Sequence, residues 1–173
     1  NGKAGIIAPM WDVAASANGR KWSGSFSFKA YHGSFSPAVG FIERGDYVTL
    51  STGPTRRFYG KTGAAIEQLS LSLRVMGNWD YSGFTNGNRP DDRRIYPSFS
   101  LQFRGGWRLT NFTWIETFSY PEKIFSNHYI KTPSGFMPYK GTPELANYGA
   151  MLTLSTPQLD RISATIKFGF GKD

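Results

Sequence analysis

Residues 66–75 read IEQLSLSLRV. From Gln68 onward, Gln68, Ser70, Ser72 and Arg74 alternate with Leu69, Leu71, Leu73 and Val75. Successive side chains of a strand point to opposite faces, so this stretch makes a strand with one wet face and one apolar face. The fold turns on which face is covered. A soluble sandwich or barrel buries the leucines. A membrane barrel shows them to lipid and keeps the serines and Arg74 inside.

The same period recurs outward from this stretch. In KWSGSFSFKAYH (21–32), Trp22, Gly24, Phe26, Phe28 and Ala30 oppose Ser23, Ser25, Ser27 and Lys29. In RIYPSFSLQFR (94–104), Ile95, Pro97, Phe99, Leu101 and Phe103 oppose Arg94, Tyr96, Ser98, Ser100, Gln102 and Arg104. ELANYGAMLTLS (144–155) and RISATIKFGF (161–170) alternate likewise. RLTNFTWIETFSY (108–120) is less clean. Phe112, Trp114, Phe118 and Tyr120 share a face with Glu116, an awkward charge for a lipid-facing strand away from an interface. GIIAPMWDVAAS (5–16) and Tyr47–Ser51 add weaker strands, and NWDYSGF (78–84) continues the central strand or pairs with it.

Between these runs lie turn signals: Asn18-Gly19, the tight hairpin Gly105-Gly106, and TPQLD at 156–160. Residues 33–47 are irregular, 52–63 (TGPTRRFYGKTG) read as a loop or bend, and 85–94 form a polar loop. Residues 121–143 hold four prolines without a steady period, a length at which loops are usually functional. No helix beyond a turn or two is indicated. The expected fold is all-β, with eight or nine strands in one domain spanning 1–173. Its form is an antiparallel up-and-down (meander) β-barrel of outer-membrane type, whole or part of a larger barrel.

Composition narrows the class. The 173 residues are 39% hydrophobic with no run of about 20 apolar residues, which excludes a transmembrane helix but not a membrane barrel. The 16% aromatic content and 20 glycines suit twisted strands with frequent turns. A net charge of +8 reads either as a solvated basic surface or as the mark of an anionic partner: nucleic acid, lipopolysaccharide phosphate, or an anionic solute. The bases sit singly or in pairs such as Arg56–Arg57 and Arg93–Arg94, with no arm or basic helix to enter a DNA groove, so nucleic acid is not expected. Without cysteine there is no disulfide, thiolate metal site or cysteine nucleophile.

Three features favour the membrane reading of IEQLSLSLRV. Short turns at 105–106 and 156–160 alternate with long loops at 85–93 and 121–143, as outer-membrane barrels do. The wet faces carry Ser, Gln, Thr and scattered Arg or Lys rather than dense Lys and Glu. Aromatics stand near expected strand ends, where membrane-interface girdles place them: Trp22, Trp79, Tyr96, Trp107, Tyr120 and Tyr148, with Tyr31 nearby. On the wet faces, Lys29, Arg74, Arg104, Arg108 and Lys167 are the candidates to line a lumen and favour anions, or else to pair with inward carboxylates.

YHGSFSPAVGFIERGDYV (31–48) carries a resemblance. Phe35, Pro37, Gly40, Phe41, Arg44, Asp46 and Tyr47 resemble the F-x-P-x-x-GF-x-x-R-x-D-Y element of a bacterial family of unassigned function. That family pairs an N-terminal domain similar to carbohydrate-binding module family 9 with a large outer-membrane β-barrel region. FRGGWRLTNFTW and the cadence of 145–170 are similar to that barrel region. The resemblance implies a bacterial outer-membrane location, a lipid bilayer and lipopolysaccharide as surroundings, and glycans or anionic solutes as partners. The family's barrel is several times longer, nothing here resembles its N-terminal module, and FGFGKD does not end on a terminal aromatic. With a start at Asn1 and no signal peptide, the expectation is an internal section of a larger barrel or a chain whose leader was removed.

Catalytic and metal motifs are weak. No P-loop, dinucleotide fingerprint, G-x-S-x-G elbow or His-x-x-x-His pair occurs. His32 and His128 are isolated. RPDDRR (89–94) offers Asp91 and Asp92 to calcium, but flanking arginines favour self-paired loop charges. Asp12, Glu43, Asp46 and Glu116 could supply a glycosidase acid and base only at a suitable separation. Asn111-Phe112-Thr113 matches a glycosylation acceptor, but its strand setting argues against use. No cofactor, metal or catalysis is expected. The leading function is a pore or membrane scaffold linked to carbohydrate binding or uptake. The alternatives are a soluble β-sandwich or small barrel binding a carbohydrate or apolar ligand, and the barrel part of a glycan-processing protein.

Overall fold

A computed structural model describes residues 8–35, 46–119, 127–139, 144–159 and 161–172. The chain is all-β and antiparallel. Its strands are β1 (Met10–Asn18), β2 (Trp22–Tyr31), β3 (Tyr47–Thr52), β4 (Thr55–Tyr59), β5 (Ile66–Trp79), β6 (Asp92–Phe103), β7 (Arg108–Phe118), β8 (Tyr129–Thr132), β9 (Gly135–Pro138), β10 (Leu145–Ser155) and β11 (Thr165–Lys172). One short helix, α1 (Tyr81–Thr85), follows β5.

Nine strands form one meander sheet in the order β1-β2-β3-β5-β6-β7-β10-β11, with β4 between β2 and β5 beside β3. β3 and β4 share one position in the sheet. The interruption is Gly53-Pro54, where Gly53 exchanges backbone hydrogen bonds with Ser25 and the Pro54 carbonyl accepts from the Leu73 amide. Proline lacks an N–H, so it breaks the ladder while its carbonyl still pairs. This corrects the expected loop at 52–63: Thr55–Tyr59 is a strand, paired with both β2 and β5. Likewise the expected long loop at 121–143 contains the hairpin β8–β9, a separate two-stranded sheet.

Antiparallel order sorts the connections by end. The turns after β1, β4, β6 and β10 are short and share one end: 19–21, 60–65, 104–107 and 156–164. The connections after β2, β5 and β7 are long and share the other: 32–46, 80–91 and 119–144. In the β6–β7 hairpin, Gly105 and Gly106 have φ of 84° and 85°, backbone that favours glycine, and Phe103 closes the turn with Trp107.

Layering is the unusual feature. Among the described residues the buried hydrophobic set is Ala30 and Val48. Among the described residues no second sheet packs on this single curtain of strands. Its outer strands, β1 and β11, are exposed along their whole length, and no ladder joins them among the described residues.

Candidate functional site: two faces of one wall

The pairing register sorts every strand residue onto one of two faces. Leu71 lies opposite Phe99 and Arg56, Leu73 opposite Pro97, and Val75 opposite Ile95. Further out, Phe26, Phe28 and Ala30 on β2 continue this face, as do Leu152 and Leu154 on β10 and Phe168 and Phe170 on β11. These side chains are open: Leu71 is 45% exposed, Phe168 65% and Trp11 58%. Three cationic residues share the apolar face, all near its edges. Arg56 lies over the Trp22 ring at 4.4 Å and the Phe58 ring at 5.3 Å, near the short turns. Arg93 pairs with Glu144 and stands near the long connections, as does Lys172. In mid-sheet, Asn111 and Thr113 are linked, with Thr113 Oγ1 donating to Asn111 Oδ1 at 3.1 Å.

The opposite face is mainly polar from β2 to β6. Ser70 faces Ser100 and Arg57, Ser72 faces Ser98 and Thr55, and Arg74 faces Tyr96. Ser27, Lys29, Thr49 and Ser51 extend it on β2 and β3. Its charges are segregated along the strands. Asp12, Asp92 and Glu116 lie in the half nearer the long connections, where Asp12 pairs with Lys29 at 3.2 Å and Asp92 meets Arg94 at 3.5 Å. Arg57, Arg74, Arg108 and Lys167 lie at mid-strand or nearer the short turns. None of these four makes an ion pair among the described residues.

Of the five basic candidates, the structure places Lys29, Arg74, Arg108 and Lys167 on this polar face. Lys29 has the carboxylate partner that was the alternative reading. Arg104 lies beyond β6, where its amide donates to the Ala65 carbonyl and its side chain reaches toward the Gly63 carbonyl at 3.5 Å.

The aromatic candidates divide. Trp22 and Trp79 stand at strand ends on the apolar face, and Trp79 Nε1 donates to the Asn88 carbonyl while its ring packs edge-on to Phe84. Tyr148 is on that face in β10, and Trp107 lies in the β6–β7 turn. Tyr96 departs from the expectation: it sits inside β6 on the polar face, and its hydroxyl donates to Glu116. Tyr120 lies outside the described residues.

Sequence reasoning missed what lies beside Tyr96. β7 turns Phe112, Trp114 and Glu116 to the polar face, opposite Ser98, the Tyr96 position and Arg94. The Trp114 indole rests on bare backbone, because a Cβ built at Gly149 would fall 2.2 Å from its ring and one at Gly171 3.0 Å. Its Nε1 donates to Asn147 Oδ1 at 3.0 Å, and Asn147 Nδ2 donates in turn to Glu116 at 3.2 Å. Tyr96 and Phe112 lie 5.5 Å apart at 24°, and Phe112 and Trp114 6.1 Å apart at 26°. Three near-parallel rings thus pave the wall. Beside them, Arg74, Ser72, Ser98, Thr55 and Tyr96 line a hollow of about 590 Å³ that reaches back to Ser25 and the Gly53-Pro54 break.

Of the catalytic candidates, Asp12 and Glu116 do not converge. Asp12 on β1 and Glu116 on β7 are five strand spacings apart, about 24 Å along the wall. A glycosidase pair needs carboxylates within roughly 10 Å. Glu43 lies outside the described residues. Asp91 accepts from the Asp80 amide at 3.1 Å, and Asp92, which opens β6 rather than lying in the expected loop, accepts from Asn78 at 3.3 Å, so both carboxylates are engaged locally. Among the described residues no group of three His, Cys, Asp or Glu side chains could hold a metal. His32 accepts from the Ser34 amide and meets Tyr81 edge-on.

No family model, curated protein or solved structure matches the chain.

Proposed function

We propose that this chain forms wall of an outer-membrane-type β-barrel, with the leucine face toward lipid and the serine and arginine face toward a hydrated interior. Its role is passive, as a pore or as a scaffold for a sugar-recognising domain. The observation that carries this reading is the broad exposed apolar face backed by a polar one, in a sheet with almost no buried side chains. In water such a face would associate or aggregate. In lipid it is the expected outer surface, since the inner strands pair with a neighbour on each side and the two outer strands, β1 and β11, are left to pair with further strands.

Dimensions agree. From Leu69 to Trp79 on β5 there are ten residue steps of about 3.3 Å; at a tilt of about 40° they cover about 25 Å, the height of an apolar barrel band. Cationic side chains on the lipid face fall near its rims, where they reach headgroups. The collection of long connections at one end fits the loop asymmetry of bacterial barrels. The resemblance of residues 31–48 to a bacterial barrel family supports the same setting, although residues 36–45 lie outside those described.

Cysteine is absent, so a single introduced thiol is a unique reporter. In reconstituted vesicles, Leu73→Cys is expected to react with lipid-partitioning maleimides and to resist water-soluble ones, with Ser72→Cys the reverse. A protein that stays monodisperse without detergent or lipid would sink the membrane reading and leave the soluble β-sandwich binder.

A further inference from the structure

We infer that the aromatic pavement of Tyr96, Phe112 and Trp114, with the hollow beside it, is a binding track for saccharide chains on the polar face. The inference rests on the reading of that face as a hydrated interior. Large aromatic rings are poorly explained there as solubility or packing devices. Phe112 is 43% exposed, and the glycines at 149 and 171 let the Trp114 indole lie against the wall. A ring laid on backbone turns its other face outward.

A flat pyranose is a good match to such a surface. Its axial C–H groups form an apolar patch of slight positive charge, complementary to the negative face of an aromatic ring. Its hydroxyls lie around the rim and need donors and acceptors of both kinds. The pavement has both. Glu116 and Asn147 flank Trp114 on the side of the long connections, held in place by the Tyr96 hydroxyl and the indole N–H. Ser72, Ser98 and Arg74, which makes no ion pair among the described residues, flank Tyr96 on the other. A hollow of about 590 Å³ falls within the 300–1,000 Å³ range of small-molecule sites. Arg74 can donate to hydroxyl or carboxylate oxygens, so acidic saccharides are admitted as well as neutral ones.

Apolar solutes alone fit less well, because charged and hydroxyl groups border the rings on both sides. A free inorganic anion would use Arg74 and ignore the rings.

The test uses the full chain in detergent micelles, titrated calorimetrically with cellohexaose, maltohexaose, hexagalacturonate and inorganic phosphate. Saturable binding of at least one hexasaccharide is expected, weakened tenfold or more by Phe112→Ala and by Trp114→Ala with the β-sheet circular dichroism preserved. Should Trp114→Ala fail to fold, Phe112→Ala together with Tyr96→Ala provides the comparison. Arg74→Gln is expected to weaken hexagalacturonate more than the neutral sugars. Absence of saturable binding, binding indifferent to the ring substitutions, or binding of phosphate alone would each overturn the inference. Micelle binding does not depend on a bilayer. Loss of saccharide binding with intact thiol accessibility therefore removes only the track, and the converse removes only the barrel.

Discussion

At the residue scale, Glu116 shows how one charge reports the phase of a strand. On the sequence it is an anomaly among Phe112, Trp114 and Phe118; in the structure the whole set belongs to the polar face, and Glu116 receives hydrogen bonds from Tyr96 and Asn147. The phase of β7 was not legible because both of its faces mix polar and apolar residues: Leu109, Asn111, Thr113, Ile115 against Arg108, Thr110, Phe112, Trp114. Only the neighbours decide it, through the Ser98–Phe112 and Arg94–Glu116 register. Ranking aromatics as lipid-facing then hides the pavement. The one local signal was the spacing of Gly149 and Gly171, which has meaning only once β10 and β11 are paired. Gly149→Val puts a branched side chain into space the Trp114 ring occupies. Overpacking of this kind costs about 1–3 kcal/mol. Urea unfolding in micelles should register that loss, and a compensating Trp114→Ala in the same chain should recover part of it.

At the element scale, β5 was the most legible piece of the chain, since its alternation is unbroken from Gln68 to Val75 and both neighbours share it. β4 was the least. Gly53-Pro54 and the adjacent arginines read as a turn, yet Thr55, Arg57 and Tyr59 alternate with Arg56 and Phe58 as a strand does. A proline that interrupts one ladder while its carbonyl supports the next is invisible to local propensity. The alternation of β5 makes a directional prediction. A lysine at the bilayer midplane on the lipid face of a barrel costs about 2–4 kcal/mol, whereas interior positions tolerate it. Leu73→Lys, near the middle of the Leu69–Trp79 band, should therefore destabilise the protein in lipid vesicles by that order and Ser72→Lys by much less, as read by reversible urea unfolding. Equal costs at both positions would mean that neither face meets hydrocarbon.

At the scale of the whole molecule, the meander, its handful of long connections and its all-β content were legible because period and turn chemistry are local. The open curtain was not, since no local pattern tells a closed barrel from an arc or from one layer of a sandwich. The separation of charges was equally hidden. It arises only when antiparallel order brings Asp12, Asp92 and Glu116 to one half of the polar face and leaves Arg57, Arg108 and Lys167 in the other. If that face lines an aqueous passage, this arrangement acts as a rectifier. Fixed positive charge near one mouth enriches anions there, over a Debye length of about 10 Å at 0.1 M salt. Chloride driven inward from the short-turn side then starts from a higher local concentration than chloride driven the other way. Planar-bilayer recordings in symmetric 0.1 M potassium chloride should give currents of unequal size at opposite voltages. The inequality should shrink in 1 M salt and largely vanish in the Arg57→Gln, Arg108→Gln double variant. A linear current–voltage relation would mean that these charges do not see the ion path. In such a passage the wall would have a polarity of its own, with anions entering more readily at the end bearing the short turns.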